Sequence, residues 1–541
     1  MSTGADEPVD VLVVGAGPTG LALAFQLQDF GVRFRLVDRQ TDRVHESRAL
    51  AIQPRTLEVL ARHGLSQRLV ERGNPASRLR LHLGGKEVAF KLFDLGIEDT
   101  AYPYLLLLSQ AETEAILGEH LSRHGVLAER GVELVDLEPR GSGVACRLHH
   151  PDGAEEIVQA RYVAGCDGAH STVRERSGIG FEGYDYPQTF LLADLEVDGL
   201  EPDTQHAFVT NTGLLLFFPL GTPATWRLIT LQPPGDPVGP VTLGQLQALA
   251  DRHAGSGLRL HDPVWMTDFK LHNRGAAHYR SGPVFLAGDA AHIHSPAGGQ
   301  GMNIGIQDAI NLGWKLGLVC RGDAAPSLLD TYEIERAPVG RAVLRLTDRA
   351  FAVATTTNPA LLFIRSEVVP RLAPVLLRFK RLRGIAFRTV SELSIHYRRS
   401  PLSVDGPGTR GHAIAAGKRL PDAPILVDGR ATTLHMMTTA PTFHLLLCGP
   451  LAAWQDNPAG ELPDVVAVHH LSRDRGGGLL HDQQGLALRR LGVRPSEPAH
   501  YLVRPDGYIG YRATGTDLTG LRGYLQHWLA AGSRTRPEKS A

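Results

Sequence analysis

A glycine-rich turn between a short apolar strand and an apolar helix constrains the fold of this chain more than any other feature. Val9–Val14 is typical of a buried strand, and Leu21–Phe30 is typical of a helix. Between them, Gly15, Gly17 and Gly20 have the G-x-G-x-x-G spacing. Such glycines permit a tight turn, the approach of a pyrophosphate to the backbone, and close packing of helix on strand.

A second strand, Val32–Val37, follows the helix and ends in Asp38. In a βαβ unit this carboxylate is placed to accept a hydrogen bond from a ribose hydroxyl. The free N–H groups at the helix start favour phosphate binding. The pattern therefore predicts a dinucleotide site without saying which dinucleotide binds.

A second motif points to a flavin. The strand Phe285–Ala287 ends in Gly288 and Asp289, and Asp289 is suited to bind a ribityl chain. A glycine-rich segment then leads into a helix, where N–H groups around Gly301–Asn303 could stabilise the negative charge of a reduced flavin.

The helix after this motif carries a stripe of small residues at four-residue spacing: Gly301, Gly305, Ala309, Gly313 and Gly317. Such a stripe allows an unusually close neighbour. That neighbour is either sheet or cofactor, or simply another helix.

A third polar turn follows the strand Arg161–Gly165. It contains Asp167 and Gly168, with Ser171 as a predicted helix N-cap and Arg174 one turn further on.

Composition excludes several classes of function. With 56 basic and 57 acidic residues the net charge is −1, which gives no electrostatic case for nucleic acid or an anionic membrane. The four cysteines form no C-x-x-C pair, which excludes a zinc ribbon or a redox-active pair and fits a reducing, cytoplasmic location. No apolar stretch approaches the length needed to span a membrane. The pair His292-x-His294 has no third metal ligand near it in the sequence, so no metal is expected.

The expected fold class is α/β, in three parts. Residues 1–180 and 281–400 form a discontinuous Rossmann-like FAD-binding domain with long C-terminal helices. Residues 181–280 form an antiparallel substrate-binding sheet, because short apolar–polar alternations there are broken by Gly and Pro. Residues 401–541 form the third part.

Together these motifs resemble the FAD-dependent aromatic hydroxylases, the p-hydroxybenzoate hydroxylase-like single-component flavoprotein monooxygenases. The resemblance covers about residues 8–400. The segments Arg419–Asp422 and Leu502–Arg512 are similar to the thioredoxin-like C-terminal domain of the phenol and polyketide hydroxylase branch. A structural or dimerisation role is the expected one for that domain.

The resemblance implies roles for individual residues. Arg48 would contact FAD phosphate or the flavin edge, Gln110 the ribityl chain, and Pro296 the pocket above the flavin; Arg48 and Pro296 are also the predicted catalytic residues. The residues predicted to bind the cofactor are Gly15, Gly17, Pro18, Thr19, Gly20, Asp38, Arg39, Arg48, Gln110, Asp167, Gly168, Gly288, Asp289, Pro296, Gly299, Gly301, Met302 and Asn303.

The resemblance also implies the reaction. NADPH or NADH would reduce bound FAD, O2 would form a flavin C4a-hydroperoxide, and a phenolic or polycyclic, polyketide-like aromatic would be hydroxylated. Epoxidation, Baeyer–Villiger insertion and a non-catalytic FAD-binding protein remain alternatives; the flavin motif disfavours a plain NAD dehydrogenase. The expected partner is a small aromatic substrate, and the expected state is a monomer or homodimer.

The substrate site is less defined by the sequence. Tyr184, His206, Phe217 and Arg227 are candidate pocket residues, each also compatible with a structural role. The run Leu214–Pro219 either lines an apolar pocket or forms a core strand.

Overall fold

The structure of this 541-residue chain is a computed structural model. It describes residues 8–43, 49–76, 78–83, 86–91, 97–141, 143–210, 213–220, 224–233, 235, 239–295, 298–355, 368, 379–409, 413–454 and 462–529. Within these residues the fold is mixed α/β, as expected, and it is built on several sheets. No helix among them combines the length and apolar character needed to cross a membrane.

The helices and strands are numbered in chain order. The strands are β1 (Val9–Val14), β2 (Phe34–Asp38), β3 (Ala51–Ile52), β4 (Asn74–Ala76), β5 (Arg78–Leu83), β6 (Lys86–Lys91), β7 (Leu105–Leu107), β8 (Glu129–Arg130), β9 (Glu133–Arg140), β10 (Gly143–His149), β11 (Glu155–Gly165), β12 (Phe181–Asp198), β13 (Thr204–Thr210), β14 (Gly213–Pro219), β15 (Trp226–Leu231), β16 (Arg259–Ala276), β17 (Arg280–Ser281), β18 (Val284–Leu286), β19 (His292–Ile293), β20 (Val404–Asp405), β21 (Pro424–Val427), β22 (Arg430–Thr433), β23 (Phe443–Cys448), β24 (Val466–Ser472), β25 (Leu480–His481), β26 (Ala499–Val503) and β27 (Ile509–Thr514). The α-helices are α1 (Pro18–Asp29), α2 (Pro54–Ala61), α3 (Ser66–Arg72), α4 (Gln110–Arg123), α5 (Thr172–Arg176), α6 (Leu243–Ala254), α7 (Gly301–Arg321), α8 (Asp330–Thr355), α9 (Lys380–Val390), α10 (Leu486–Leu491) and α11 (Thr519–Trp528).

The first sheet, which we call the nucleotide sheet, brings the three sequence motifs to one edge. Its order is β17-β18-β11-β1-β2-β8, and β18, β11, β1 and β2 run parallel. In register, Val14 pairs with Gly165, which pairs with Leu286. The glycine turn, the Asp167 turn and the Gly288 turn therefore follow neighbouring carboxyl ends, where parallel sheets bind ligands.

A second sheet has the order β19-β16-β12-β15-β14-β13-β5-β6, and we name it the substrate sheet after the role expected from the sequence. It includes most of the segment expected from the alternating pattern, and also β5 and β6 from residues 78–91. These two strands join because β5 pairs in parallel with β13, a long-range contact that local alternation does not reveal.

The small-residue stripe of α7 packs against helix α1. A Cβ on Gly317 would lie 2.4 Å from the ring of Phe30, and one on Gly313 would lie 2.5 Å from Gln26. A Cβ on Gly305 would lie 2.4 Å from the Thr19 hydroxyl. Of the two interpretations of the stripe, helix–helix packing accounts for these three glycines.

A third sheet, the C-terminal sheet, has the order β20-β27-β26-β23-β24-β25-β21-β22. It is joined to the nucleotide domain, the part of the chain built around the nucleotide sheet, by a buried interdomain ion cluster of Lys315, Glu335, Arg504 and Asp506. The Arg504 guanidinium donates to Glu335 at 2.5 Å and to Asp506 at 2.5 Å, and the Lys315 ammonium lies 2.9 Å from Glu335. Burial raises the pKa of Glu335, but the charges of Arg504 and Lys315 outweigh it and hold that pKa well below its usual range.

Candidate functional site

The glycine turn has the geometry needed for a pyrophosphate. Gly15 has a φ of +101°, and a Cβ there would lie 2.4 Å from the carbonyl oxygen of Cys166. A Cβ on Gly20 would lie 1.8 Å from the carbonyl oxygen of Gly15, so α1 packs directly on the turn. Gly17 differs, because a Cβ there meets nothing within 4 Å. Its backbone therefore faces open space at the N-terminus of α1, which suits an anionic ligand.

Asp38 organises the far side of the turn. Its Oδ2 accepts a hydrogen bond from the Ala16 N–H at 2.6 Å, and its Oδ1 accepts one from the Gln40 N–H at 2.8 Å. The Arg130 guanidinium lies 3.4 Å from Oδ2. Because a carboxylate has about four lone-pair sites, Asp38 retains acceptor capacity for a ribose hydroxyl.

These groups line one open space of about 710 Å³, which we call the nucleotide cleft. It contains six of the predicted cofactor-binding residues: Gly15, Gly17, Asp38, Arg39, Asp167 and Gly168. Glu133 and His170 also line the cleft and were not among the predicted site residues: Glu133 lies outside the motifs, and His170 lies within the Asp167 turn but was assigned no role. The glycine cradle, the carboxylate and the helix terminus fit the dinucleotide part of FAD.

Asp167 is engaged by its own turn. Its carboxylate accepts hydrogen bonds from the Ser171 hydroxyl at 2.5 Å and from the Val173 N–H at 3.0 Å. Burial raises the pKa of Asp167. Ser171 caps α5 by accepting from the Arg174 N–H, as predicted. Arg174 is buried and donates to the carbonyl oxygens of Ala169 and Ala290, so it joins this turn to the Gly288 turn.

The Gly288 turn places Asp289 at the surface. Gly288 has a φ of +62°, and a Cβ there would lie 2.5 Å from the Thr19 hydroxyl. Asp289 is exposed, whereas Gly288 and Ala290 on either side are buried. The turn therefore projects a carboxylate outward next to the start of α1, where Pro18 is the first helical residue.

Asp308 holds this turn in place and is absent from the sequence prediction. Its buried carboxylate accepts from the Gly288 N–H at 3.1 Å, from His292 Nε2 at 2.7 Å and from Arg336 Nε at 2.6 Å. Burial alone raises the pKa of Asp308, but the charges of Arg336 and His292 bring it below its ordinary value. It is the only acid in α7, and a single carboxylate inside an apolar helix was the available signal.

At the start of α7 the side chain of Asn303 is fully buried and used by the protein. Its amide donates to the carbonyl oxygens of Ala51 and Gly299, both at 2.8 Å, and its Oδ1 accepts from the Gln53 N–H at 2.8 Å. Gly299 has a φ of +61°. The Asn303 side chain is therefore engaged by the protein itself, and Met302 packs against the core.

Gln110 begins α4, and its N–H donates to the carbonyl oxygen of Ala49 at 3.0 Å. Its side-chain amide donates to Glu114 at 2.8 Å. The structure does not bring Gln110 into the nucleotide cleft. Arg48 and Pro296 lie outside the described residues.

The substrate sheet has two different faces. One is covered by α6, which packs against Leu215, Phe217, Trp226 and Leu228. The other turns toward the small sheet β3-β7-β4, because Phe218 and Leu220 pack against Leu50, Ala51 and Leu107. We call this second side the open face; its partly exposed apolar residues are Leu214, Leu216, Phe218, Leu231 and Trp265.

Two of the predicted pocket residues lie on the covered side. Phe217 is fully buried under α6, and His206 pairs with it across the ladder. The His206 ring lies 6.0 Å from that of Trp226, and burial lowers the pKa of His206. The structure therefore does not place Phe217 or His206 on the open face; alternation identifies two faces but not which one faces a ligand.

Arg227 does lie on the open-face side and is fully buried. It forms a two-point ion pair with Asp194, both contacts at 2.7 Å, and donates to the carbonyl oxygen of Ala49 at 3.3 Å. Tyr184 is half-exposed at the other end of the sheet, where its hydroxyl donates to Asp348 of α8 and accepts from Asn273 at 3.2 Å.

Among the described residues, no three His, Cys, Asp or Glu side chains come together in a way that could hold a metal ion.

Comparison with known proteins identifies the family. Residues 8–347 match the FAD binding domain model, and residues 413–532 match the model named aromatic-ring hydroxylase, C-terminal. The chain is 38% identical to the 6-methylpretetramide 4-monooxygenase of Streptomyces rimosus, over 96% of this chain and 94% of the relative.

Two solved structures are similar over almost the whole chain. The anhydrotetracycline hydroxylase OxyS from Streptomyces rimosus has a TM-score of 0.75 at 32% identity, covering 97% of this chain and 100% of that one. Aklavinone-11 hydroxylase, solved with FAD and aklavinone, has a TM-score of 0.77 at 27% identity, covering 96% and 99%. With the nucleotide cleft, the Gly288 turn and both family matches in place, the chain belongs to the FAD-dependent aromatic-ring hydroxylases, a family of flavoprotein monooxygenases.

Proposed function

We propose that this protein uses FAD and NAD(P)H to hydroxylate a polycyclic phenolic substrate that lies against the open face. The observation that carries the proposal is the open face itself, where apolar side chains stay partly exposed next to the nucleotide domain. Mostly apolar surfaces with a few polar groups are typical of small-molecule pockets. The names of the relatives, which refer to anhydrotetracycline, 6-methylpretetramide and aklavinone, support a multi-ring substrate.

Within this proposal the nucleotide cleft holds the dinucleotide end of FAD. The backbone of Gly17 and the start of α1 bind the pyrophosphate, and Asp38 accepts from the adenosine ribose. Asp289 accepts from the ribityl chain, and the backbone at Gly301 faces the flavin. When bound, FAD supplies the activation of O2 after its reduction by NAD(P)H.

The residues around the substrate orient it and exclude water. Phe218 and Trp265 provide flat apolar surface for aromatic rings, which prefer stacked or edge-on contacts. Arg227 acts through its neighbours, because its ion pair with Asp194 and its bond to Ala49 connect the sheet to the segment that precedes α2. Holding the ring close to the reacting group contributes to the rate by proximity and by exclusion of water.

A cofactor experiment tests the first half. Purified protein should be yellow, and Asp289→Ala should lose most bound FAD while Asp251→Ala, an exposed change on α6, retains it. Flavin absorbance per protein after desalting measures this. Normal FAD content in Asp289→Ala would contradict the assigned role of the Gly288 turn.

A substrate experiment tests the second half. Simple phenols and multi-ring aromatics such as anhydrotetracycline are compared for their stimulation of NAD(P)H oxidation. Multi-ring compounds should stimulate most, and mass spectrometry with labelled O2 should find one added oxygen on an unchanged carbon skeleton. A ring-expanded product would instead favour Baeyer–Villiger insertion.

Three finer predictions belong with this function. The C-terminal domain is thioredoxin-like and structural, which is supported by parallel β23 and β24 beside antiparallel β26 and β27. The protein works as a monomer or homodimer. It resides in the cytoplasm, which is supported by four free cysteines that lie far apart in the sequence.

A further inference from the structure

Within the part of the chain that the structure describes, six buried polar atoms have no hydrogen-bond partner, and they collect between α7, α2, the end of α9 and the C-terminal domain. They are Arg55 Nε, Gln300 Oε1, Gln307 Oε1, Ser391 Oγ, Glu392 Oε1 and the Tyr508 hydroxyl, which we call the buried polar cluster. Each of these residues is at most 4% exposed. Buried polar groups are rarely left unbonded, and ordered water is their usual partner when no protein group is in reach.

Direct contacts join the members of the cluster. Gln307 Nε2 donates to Glu392 Oε2 and lies 3.4 Å from the Thr56 hydroxyl. The Arg55 N–H donates to the carbonyl oxygen of Ser391 at 3.4 Å, and the Arg55 guanidinium lies 4.7 Å above the Tyr508 ring. Gln300, the residue before α7, donates to the carbonyl oxygen of Val390 at 3.3 Å.

Arg55, Gln307 and Tyr508 also line a small cavity between α2, α7 and the C-terminal domain. It has room for about one water molecule. A water there could donate to Gln307 Oε1 and accept from Arg55 Nε, two of the atoms that lack a partner.

Glu392 is the unusual member. Its φ is +63°, and it is the only buried residue among the four non-glycine residues with positive φ in the described chain; the other three are exposed Asp residues. A left-handed backbone costs about 1–3 kcal/mol at a non-glycine residue. A glycine at this position would avoid that cost, but it would also remove the carboxyl group that contacts Gln307 in the buried polar cluster.

No cation pairs with Glu392 among the described residues. Arg336 is committed to Asp308, and Arg55 to Glu58 and the carbonyl oxygen of Asp506. The charged groups that act on Glu392 are Arg55 on α2, which is paired with Glu58, Asp308 on α7 and Arg336 on α8. The titratable groups Tyr397, Asp506 and Tyr508 line the neighbouring cavity. A buried carboxyl group without a cation partner favours its neutral form.

We propose that the buried polar cluster is a hydrated internal site that keeps Glu392 as a neutral carboxylic acid beside the first two turns of α7. Burial raises the pKa of Glu392 to about 8, which agrees with this assignment. Above that pH the group ionises and adds a buried negative charge near the start of α7. If the flavin lies there, as the proposed function has it, that charge opposes the anionic reduced flavin. Glu392 is then a positioning residue that acts through α7.

Thermal unfolding of the purified protein at several pH values tests the neutral acid without using flavin chemistry. The pKa of Glu392 is about 8 in the folded state and 4.5 in the unfolded chain. Between pH 4.5 and 8 the unfolded chain therefore loses this proton while the folded state keeps it, so the stability of the wild type falls as the pH rises. Glu392→Gln, which is neutral at every pH, should therefore gain Tm relative to wild type as pH rises through this window, with no further gain above about pH 8. The exposed Glu138→Gln should show no such trend, and a pH-independent Tm difference for Glu392→Gln would overturn the proposal.

A second measurement on the wild type covers the case in which Glu392→Gln does not fold. Infrared spectra should show a protonated-carboxyl C=O band at pH 7 that disappears on titration above pH 8; its absence at pH 7 would also overturn the proposal. Finally, the flavin midpoint potential should fall more steeply above pH 8 in wild type than in Glu392→Gln. If the midpoint potentials of the two proteins depended equally on pH while the Tm trend was as expected, Glu392 would be a neutral acid, but the flavin would not lie beside it as the proposed function assumes.

Discussion

The nucleotide cleft is shaped mainly by backbone, whereas the open face of the substrate sheet is shaped by side chains. The cleft is shaped by Gly15, Gly17 and Gly20, whose missing side chains let strand, helix and ligand approach one another. The sheet instead presents Phe218 and Trp265, and hides Phe217 behind them under α6. The difference teaches that a site made of backbone tolerates almost no added atoms, while a site made of side chains can change its ligand by changing residues on one face.

The largest effect should come from two glycines of the G-x-G-x-x-G turn. Gly20→Val should abolish folded, FAD-containing protein, because its first added atom would lie 1.8 Å from the carbonyl oxygen of Gly15. Gly17→Ala should fold normally, because its Cβ meets open space, yet bind FAD more weakly. Circular dichroism and flavin content measure the two effects; equal folding of both variants would break the contrast.

The next effect concerns the ion pair under the open face. Arg227→Met should destabilise the protein by up to about 3–5 kcal/mol, because it leaves the partly buried Asp194 carboxylate without its cation. Chemical denaturation measures this. The double change Arg227→Met with Asp194→Leu should recover most of the loss, and a double variant as unstable as the single one would argue against the ion pair as the cause.

A smaller effect separates the two faces of β14. Phe217→Leu should cost about 1–2 kcal/mol of stability with little change in the KM for the aromatic substrate, because its ring is buried under α6. Phe218→Leu should do the reverse and raise KM at nearly unchanged stability. If Phe217→Leu raised KM as much as Phe218→Leu does, the assignment of the open face would be wrong.

The smallest effect is expected at Asp38. Asp38→Asn retains an oxygen that can accept from the Ala16 N–H but loses the charge that faces Arg130. FAD affinity should fall about tenfold, equivalent to roughly 1.4 kcal/mol, the scale of one charge-assisted hydrogen bond. Titration of the protein stripped of FAD measures this, and an unchanged affinity would show that the ribose does not depend on this carboxylate.

The sequence predicted those parts of the site that depend on local backbone geometry. Gly15, Asp167 and Gly288 each come just after the end of a strand, and parallel pairing brings those ends together without any further information. Long-range contacts were not predictable in the same way. Nothing in the pattern around His206 shows which side α6 covers, and nothing around Asn303 shows that its amide is consumed by Ala51 and Gly299.

The same limit applies to buried charges. Asp308, Arg336 and Glu392 are ordinary polar residues of helices and turns when seen one at a time. Their roles emerge only when α7, α8 and the end of α9 meet in space. The resemblance to a family assigned no role to any of the three residues, although one of its matching segments ends at Arg336.

The interdomain ion cluster has a consequence for the order in which the chain folds. Glu335 and Lys315 are buried against Arg504, which follows Glu335 by 169 residues. During synthesis α7 and α8 emerge from the ribosome long before this arginine does. Until it arrives, Lys315 is the one cation of the cluster that Glu335 can meet, and its strongest partner is missing. The packing of the C-terminal sheet against α7 and α8 thereby completes the burial of Glu335.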